Sequence, residues 1–321
     1  MNPTTQEKIL LTPQIRKVVV KLTNKCNLTC KHCYVSSHPH GEHGLQVNQV
    51  KKIIDETYRL YGSLLFTLSG GEALVRKADV LNLLRYSKNF HKTALYSNGT
   101  LFTKTVSEQI AAISPIVQIS IDGASSFSHD TMRGSGAFDR TLHGIENLLT
   151  AGLSSENIQI FSSITNETVE EMNEILMLAD RLSIKRVRFE PIAKTGRAKE
   201  TWPDSASQVY ENTTKKYLTY IKNQKEWVND WVMEERRDLN FNLLKIYSDG
   251  TVMPYAYYDE EDKKLGSLGN IFVNDITEIV NPENFTKKII GKFISVSSGP
   301  QRSLKAIQFT KRGCNLLWDV I

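Results

Sequence analysis

The stretch that decides the fold is KVVVKLTNKCNLTCKHC, residues 17–33, in which a β-branched run leads into three closely spaced cysteines. The run Val18–Val20 is typical of a buried strand. Cys26, Cys30 and Cys33 follow within eight residues. In folds built from parallel strands and helices, the loops after the strand carboxyl ends carry the chemistry. We therefore expect a functional site at the end of the first strand.

The alternation of a short apolar run with a longer amphipathic stretch recurs along the chain. We predict six strands, each leading toward a helix, and such strands pair in parallel because parallel neighbours need a crossover connection. The pattern indicates an α/β fold, a partial (β/α)6 TIM-like barrel. The predicted strands are 17–22, 64–68, 93–97, 116–121, 158–164 and 186–190, and the predicted helices are 47–61, 78–88, 103–113, 137–151 and 169–182.

The pattern changes after about Lys199. Residues 1–14 are predicted to be an N-terminal tail, 15–200 the barrel, 201–238 a helical linker, and 239–321 a small α+β C-terminal extension. Within the extension, the dipeptide Asp249-Gly250 separates two apolar runs, 241–247 and 251–255, and is typical of a tight hairpin turn.

The composition fits a soluble globular protein of ordinary charge. The 321 residues are 40% hydrophobic and 23% charged, and the net charge is +5. Basic residues are spread along the chain, so no nucleic-acid partner is indicated. No apolar run is long enough to span a bilayer, and the N-terminus lacks the features of a secretory signal. We therefore expect a cytoplasmic protein with no membrane partner.

The clustered cysteines indicate metal binding rather than a disulfide framework, since disulfide scaffolds are small, secreted and rich in cysteine. Thiolates are the ligands of iron–sulfur clusters. Three of them on one loop bind three irons of a cubane and leave the fourth iron open to a small molecule. The alternative is a structural zinc site with His38, His40 or His43 as a fourth ligand.

Polar residues also follow the later strands. Gly70-Gly71-Glu72 follows the second strand, and glycine lets the backbone approach a ligand closely while Glu72 can pair with an ammonium group. Ser120 and Asp122 alternate with apolar neighbours at the end of the fourth strand, so both can point into a barrel mouth. Asp122 with Gly123 is also compatible with a simple turn.

The spacing Cys-x3-Cys-x2-Cys, with Ser69-Gly-Gly-Glu72 after the second strand, resembles the radical S-adenosylmethionine (SAM) superfamily over residues 15–200. The resemblance implies one [4Fe–4S] cluster on Cys26, Cys30 and Cys33, with SAM bound to the open iron. It also implies that Arg133 or Arg140 meets the SAM carboxylate. The SAM contacts implied by the resemblance are His32, Tyr34, Gly70, Gly71, Glu72, Asn98, Ser120, Asp122, Arg133 and Ser163.

The extension is similar to a SPASM or twitch domain through LKIYSDGTVMPY, residues 244–255. That domain usually carries auxiliary clusters, with a cysteine directly after the proline, where this chain has Tyr255. The only cysteine after the loop is Cys314, and one thiol cannot hold a four-iron cluster, so we expect the auxiliary site to be lost. Cys314 is a candidate hydrogen-atom donor to a substrate radical or, alternatively, a small buried hydrophobe.

The resemblance implies reductive cleavage of SAM to a 5′-deoxyadenosyl radical that abstracts hydrogen from a substrate. The expected substrate is a peptide that undergoes crosslinking, epimerisation or oxidation in natural-product maturation. The alternatives are a small molecule such as an aminoglycoside or nucleoside, a zinc-stabilised binding module, and an inactive scaffold. The implied partners are a flavodoxin or ferredoxin as reductant and a separate protein that recognises a leader peptide.

Overall fold

The computed structural model describes residues 15–42, 44–165, 168–192, 195–201, 243–254, 267–281, 283, 304–310 and 313–318. Six parallel strands form the main sheet, and strands that are consecutive in the chain lie side by side in it. The predicted α/β fold with a parallel sheet is confirmed. The strands are β1 (Lys17–Lys21), β2 (Leu65–Ser69), β3 (Lys92–Ser97), β4 (Ile116–Ser120), β5 (Ile158–Ile164) and β6 (Arg186–Pro191).

Helices connect successive strands and bury one apolar face each. In the first helix, Val47–Tyr61, the side chains of Val50, Ile53 and Ile54 are buried, at the i, i+3, i+4 spacing of a single helix face. Further buried helix residues, such as Ile110 and Leu148, lie in the same hydrophobic core. The helices are α1 (Val47–Tyr61), α2 (Lys77–Ser87), α3 (Lys104–Ile113), α4 (Ser126–Arg133), α5 (Ala137–Thr150), α6 (Met172–Arg181) and α7 (Arg197–Thr201).

The two faces of the sheet differ in chemistry. Val18 and Val20 of β1 belong to the hydrophobic core that includes the helices. Because side chains alternate along a strand, Lys17 and Lys21 lie on the opposite, inner face. The ammonium group of Lys17 lies 5.5 Å from the ring centre of Tyr96 on β3. The inner face of this sheet is therefore polar and carries cationic groups.

A hairpin extends the sheet beyond β1. The strand β7 (Leu243–Ile246) pairs in parallel with β1, and β8 (Thr251–Met253) and β9 (Gly269–Asn270) continue antiparallel. The turn at Asp249-Gly250 is present, with Gly250 at φ +82°. The sequence predicts the hairpin but not its pairing with β1, because alternation identifies a strand without identifying its distant partner.

A short helix and a second hairpin lie outside the main sheet. The short helix α8 (Ile276–Val280) contacts α1, where Lys52 pairs with Asp275 at 3.0 Å. Strands β10 (Leu304–Thr310) and β11 (Gly313–Trp318) form an antiparallel hairpin. The predicted helical linker lies, apart from Thr201, outside the described residues. Among the described helices, none combines the length and apolar character needed to cross a membrane.

Candidate active site

The three cysteines lie on the loop between β1 and α1. Cys26 and Cys30 are buried, Cys33 is partly buried, and all three pack with Leu28 and Ala137. Two backbone N–H groups donate to sulfur: that of Leu28 to Cys26 Sγ at 3.4 Å, and that of Ser37 to Cys33 Sγ at 3.3 Å. Such hydrogen bonds stabilise negative charge on a sulfur ligand. These donors would stabilise the thiolate forms of Cys26 and Cys33 when a metal binds.

Elements far along the chain hold this cysteine loop in place. The backbone N–H of Lys31 donates to the carbonyl of Met132 in α4 at 2.9 Å. Arg197, after β6, donates through its backbone to the Cys33 carbonyl at 3.1 Å and through Nε to the Cys30 carbonyl at 2.8 Å. The cysteine loop is thus tied to α4 and to the exit of β6.

The thiols need a metal to ionise. Burial raises the pKa of Cys26 to about 12 and also raises the pKa of Cys30. Alone, both groups are neutral at pH 7, and ligation by a cationic metal is what deprotonates them. Among the described residues, no three His, Cys, Asp or Glu side chains converge on a point for one metal ion. A cubane gives each thiolate its own iron, so the three-thiol loop fits a [4Fe–4S] cluster without such convergence.

The glycine-rich turn after β2 packs directly against the cysteine loop. Gly71 donates its backbone N–H to the Thr23 carbonyl at 2.7 Å, and Glu72 donates to the Lys25 carbonyl at 3.0 Å. A Cβ atom on Gly71 would lie 2.6 Å from that Lys25 oxygen. Only glycine permits this approach, which brings the two predicted motifs together at one end of the sheet.

Glu72 is fully buried, and protein donors surround its carboxylate. It accepts hydrogen bonds from the backbone N–H of Leu74 at 2.9 Å and of Asn98 at 2.7 Å, and from the Ser97 hydroxyl at 3.0 Å. Burial raises the pKa of Glu72, and these hydrogen bonds oppose the rise. In this structure Glu72 joins the exits of β2 and β3. Its contact with the methionine amino group stays a prediction.

A buried charge network lies beside the cysteine loop. Asp122, fully buried, contacts Arg133 Nε at 2.5 Å and His32 Nε2 at 3.3 Å through Oδ2, and its Oδ1 accepts from the backbone N–H of Ser163 at 2.9 Å. Burial works to raise the pKa of Asp122, but the charge and hydrogen bond of Arg133, together with His32 and His129, outweigh it, and the pKa falls to about 2. Of the two candidate arginines, Arg133 is therefore in the network, whereas Arg140 is exposed.

His32 leaves one ring nitrogen for a ligand. Burial lowers the pKa of His32 to about 4, so the ring is neutral at pH 7. The carboxylate of Asp122 can only accept, so Nε2 carries the proton and Nδ1 is an acceptor. Nδ1 is buried and has no hydrogen-bond partner among the described residues. Since buried polar atoms are rarely left without a partner, this atom fits contact with a bound cofactor.

Of the remaining sequence-predicted residues, Asn98, Ser120 and Tyr34 lie near this centre. Asn98 donates to Asn27 Oδ1 at 2.9 Å, and its amide nitrogen lies 4.0 Å from Cys26 Sγ. Ser120 is partly buried at the end of β4, and the Tyr34 hydroxyl accepts from Lys21 at 3.4 Å. Cys314 lies on β11 opposite Phe309, and its side chain is outside the description. His43, an alternative zinc ligand, is outside the described residues.

Sequence reasoning missed several residues that the structure places here. Arg197 contacts backbone carbonyls, which leave no pattern in the sequence. His129 accepts from the Asp122 backbone N–H through Nδ1 at 3.2 Å. Lys21 and Lys245 lie on the inner face of the sheet, and the available signal was a charged residue flanked by apolar residues within a strand.

Comparison with known proteins identifies the family. Residues 20–179 match the model of the Radical SAM superfamily. Mycofactocin maturase MftC of Mycolicibacterium smegmatis is 34% identical over 186 residues, which is 57% of this chain and 46% of MftC. The AdoMet-dependent heme synthase of Methanosarcina barkeri is 36% identical over 199 residues, which is 60% of this chain and 55% of the synthase.

Two further similarities extend beyond residue 200. The antilisterial bacteriocin subtilosin biosynthesis protein AlbA of Bacillus subtilis is 28% identical over 274 residues, 81% of this chain and 58% of AlbA. The chain therefore spans about half the length of the curated relatives it matches. Among solved structures, Streptococcus suis SuiB bound to precursor peptide SuiA superposes with a TM-score of 0.62 at 16% identity, over 88% of this chain and 69% of SuiB. The chain belongs to the radical SAM superfamily, whose enzymes use a [4Fe–4S] cluster and S-adenosylmethionine.

Proposed function

We propose that this chain reductively cleaves SAM and uses the resulting radical to modify a peptide during its maturation. The observation that carries the proposal is the three-thiol loop, in which Cys26 and Cys30 are buried, two sulfur atoms accept hydrogen bonds, and His32 joins the Asp122–Arg133 network. When bound, a reduced cluster and SAM together supply a radical able to remove hydrogen from an unactivated carbon.

The chain's own residues would bind and orient these cofactors. Cys26, Cys30 and Cys33 would hold the cluster. The close approach of Gly71 to the cysteine loop brings the backbone of the glycine-rich turn beside it. Asp122 fixes the orientation and protonation of His32, leaving Nδ1 as an acceptor for SAM. Leu28 and Ala137 pack against the thiols and would limit the access of water to them, which would protect a reactive radical from side reactions.

The peptide substrate is supported by two relatives' names. MftC is a maturase for mycofactocin, and AlbA takes part in the biosynthesis of a bacteriocin. Crosslinking, epimerisation and oxidation all remain open as the reaction. A flavodoxin or ferredoxin would supply electrons, and a separate protein would recognise a leader peptide.

A small-molecule substrate is the second candidate, because the heme synthase of M. barkeri is similar over 60% of this chain. The same radical chemistry would serve either substrate. The two candidates differ only in what enters the inner face of the barrel.

The test is anaerobic reconstitution with iron and sulfide, followed by dithionite and SAM and detection of 5′-deoxyadenosine. We expect wild-type protein to form it and Cys30→Ala to form none. Cys314→Ala is the matched control: it also removes one thiol, but it lies outside the cysteine loop and should keep the cluster. Zinc without iron or sulfide after anaerobic purification, or no 5′-deoxyadenosine from an intact reduced cluster, would count against the proposal.

A further inference from the structure

Two lysine side chains meet on the inner face of the sheet beside the cysteine loop. Lys21 lies at the end of β1, and Lys245 lies on the neighbouring strand β7. Their ammonium groups lie 4.6 and 4.5 Å from the ring centre of Tyr34, which directly follows Cys33. Both also lie near the ring of Tyr247, at 6.0 and 5.2 Å. The two cations therefore share one aromatic environment next to the candidate active site.

These lysines are buried without a carboxylate partner. Lys21 is 1% exposed and Lys245 is 8% exposed. Among the described residues, no Asp or Glu oxygen lies within ion-pair distance of either ammonium group. Lysine is almost never fully buried unless it is paired. Attraction to two tyrosine rings and one hydroxyl offsets only part of the cost of desolvating two ammonium groups.

The other charged groups on the inner face do not remove this excess of positive charge. Glu190 of β6 favours the cationic form of Lys245, and Lys17 of β1 opposes it. Glu190 is itself ion-paired with Arg188 on the same strand. Burial lowers the pKa of Lys245 to about 7, as expected for an ammonium group that lacks a close anion.

We propose that Lys21 and Lys245 bind a carboxylate of the substrate and so fix its position relative to the cluster. The inference rests on the proposed function, because a peptide offers carboxylates on Asp and Glu side chains and at its C-terminus. Lys21 supplies an ammonium group, and an approaching carboxylate favours the protonated form of Lys245 as well. The Tyr34 hydroxyl accepts from Lys21 and keeps its own proton to donate to the ligand. A bound carboxylate would give both buried lysines an anionic partner.

The test measures binding without any turnover. The full chain, with its cluster reconstituted anaerobically, is heated at constant ionic strength with each of three N-acetylated tripeptides at equal millimolar concentration. These are acetyl-Gly-Glu-Gly-amide, its neutral Gln counterpart, and acetyl-Gly-Gln-Gly with a free C-terminus. We expect the Tm to rise with at least one anionic peptide and not with the neutral one, because a ligand of the folded state raises stability.

Variants assign the effect to the two lysines. Lys21→Met and Lys245→Met keep the side-chain volume but remove the charge, and each should abolish the Tm shift. Lys245→Arg should retain it. Lys51→Met is the matched control, because Lys51 also lies over a tyrosine ring, that of Tyr86, but on the outer helix α1. It should leave the shift unchanged.

Defined outcomes overturn the inference. The inference is wrong if neither anionic peptide raises the Tm, or if the rise in Tm persists in both Lys21→Met and Lys245→Met. It is also wrong if inorganic phosphate alone raises the Tm. Loss of the shift when SAM is present would assign the lysines to the cofactor's carboxylate and also overturn it. Formation of 5′-deoxyadenosine by wild-type protein is measured separately. A Tm shift with an anionic peptide but no 5′-deoxyadenosine refutes the radical function alone. Formation of 5′-deoxyadenosine with no such Tm shift refutes the carboxylate site alone.

Discussion

At the scale of single residues, Asp122 connects three other residues of the site. One oxygen contacts both Arg133 and His32, and the other accepts from the Ser163 backbone. The sequence placed Asp122 at a barrel mouth through its alternation with apolar neighbours. It did not predict the pairing with Arg133, which lies one helix later. The network makes Asp122 a positioning residue for His32, whatever further contact it makes with SAM.

Asp122→Asn should destabilise the protein strongly at neutral pH. The change removes the only described ion-pair partner of buried Arg133, and breaking a buried pair in this way costs roughly 3–5 kcal/mol. The measurement is anaerobic denaturant unfolding of both proteins at pH 7. Asp139→Asn, at an exposed position on α5, is the control and should change the free energy of unfolding little.

The difference between wild type and Asp122→Asn should also depend on pH. The pKa of Asp122 is about 2 in the folded protein, below its ordinary 3.8. A carboxylate with a depressed pKa stabilises the fold above its unfolded-state pKa, and this contribution is lost as the pH falls toward the folded-state value. The stability difference should therefore be constant above about pH 5 and shrink below pH 4. A difference that is small at pH 7, or that grows toward low pH, would contradict the assignment.

At the scale of elements, loops from five strand exits form the site, including the loop after β4 that carries Asp122. The cysteine loop after β1 is bonded to the glycine-rich turn after β2, and Arg197 after β6 holds its carbonyls. Asn98 after β3 lies beside Cys26. Gly196 has φ +55°, and a Cβ atom there would lie 2.3 Å from the Cys33 carbonyl oxygen. The exit of β6 therefore fits the cysteine loop only if residue 196 is glycine.

Gly196→Ala should reduce cluster incorporation. Alanine at positive φ costs roughly 1–2 kcal/mol, and the clash with the Cys33 carbonyl must in addition move the loop. Iron and sulfide per chain after anaerobic reconstitution should fall well below the wild-type value. Gly152→Ala is the matched control: Gly152 has φ +89°, but nothing lies within 4 Å of its Cβ position. If both variants incorporate the wild-type amount of iron, the β6 exit does not shape the cluster site.

Much of this element order was predictable, for identifiable reasons. Predicted and observed β5 coincide at Ile158–Ile164, where buried and partly buried residues alternate. The prediction for β1 differs by only one residue, because its β-branched run Val18–Val20 is typical of a strand. The helix α4 was not predicted; it is short, and its N-cap Ser125 is its main local signal. The pairing of β7 with β1 and the contacts of Arg197 join residues far apart in the chain. No local pattern encodes such contacts.

At the scale of the whole molecule, the parallel sheet separates two chemistries. Its outer face joins the helices in one hydrophobic core, and its inner face carries charged groups beneath the loops of the strand exits. The cysteine loop connects with the main sheet at β1, the glycine-rich turn, α4 and the β6 exit. A cluster bound by the three thiols would therefore add further links between the elements that meet at the barrel mouth.

Removing the cluster should therefore loosen the barrel mouth rather than the sheet. Binding to the folded state contributes directly to stability, so treatment with an oxidant and a chelator should lower the Tm by roughly 5–10 °C, at about 2–4 °C per kcal/mol. Hydrogen exchange should quicken at the amides of Lys31 and Arg197, which hold the loop to α4 and to the β6 exit. The amide of Leu95, in the centre of the sheet, should not change. The same treatment of Cys30→Ala should cause no further loss, and an unchanged Tm with unchanged exchange in wild type would show that protein hydrogen bonds alone hold the loop.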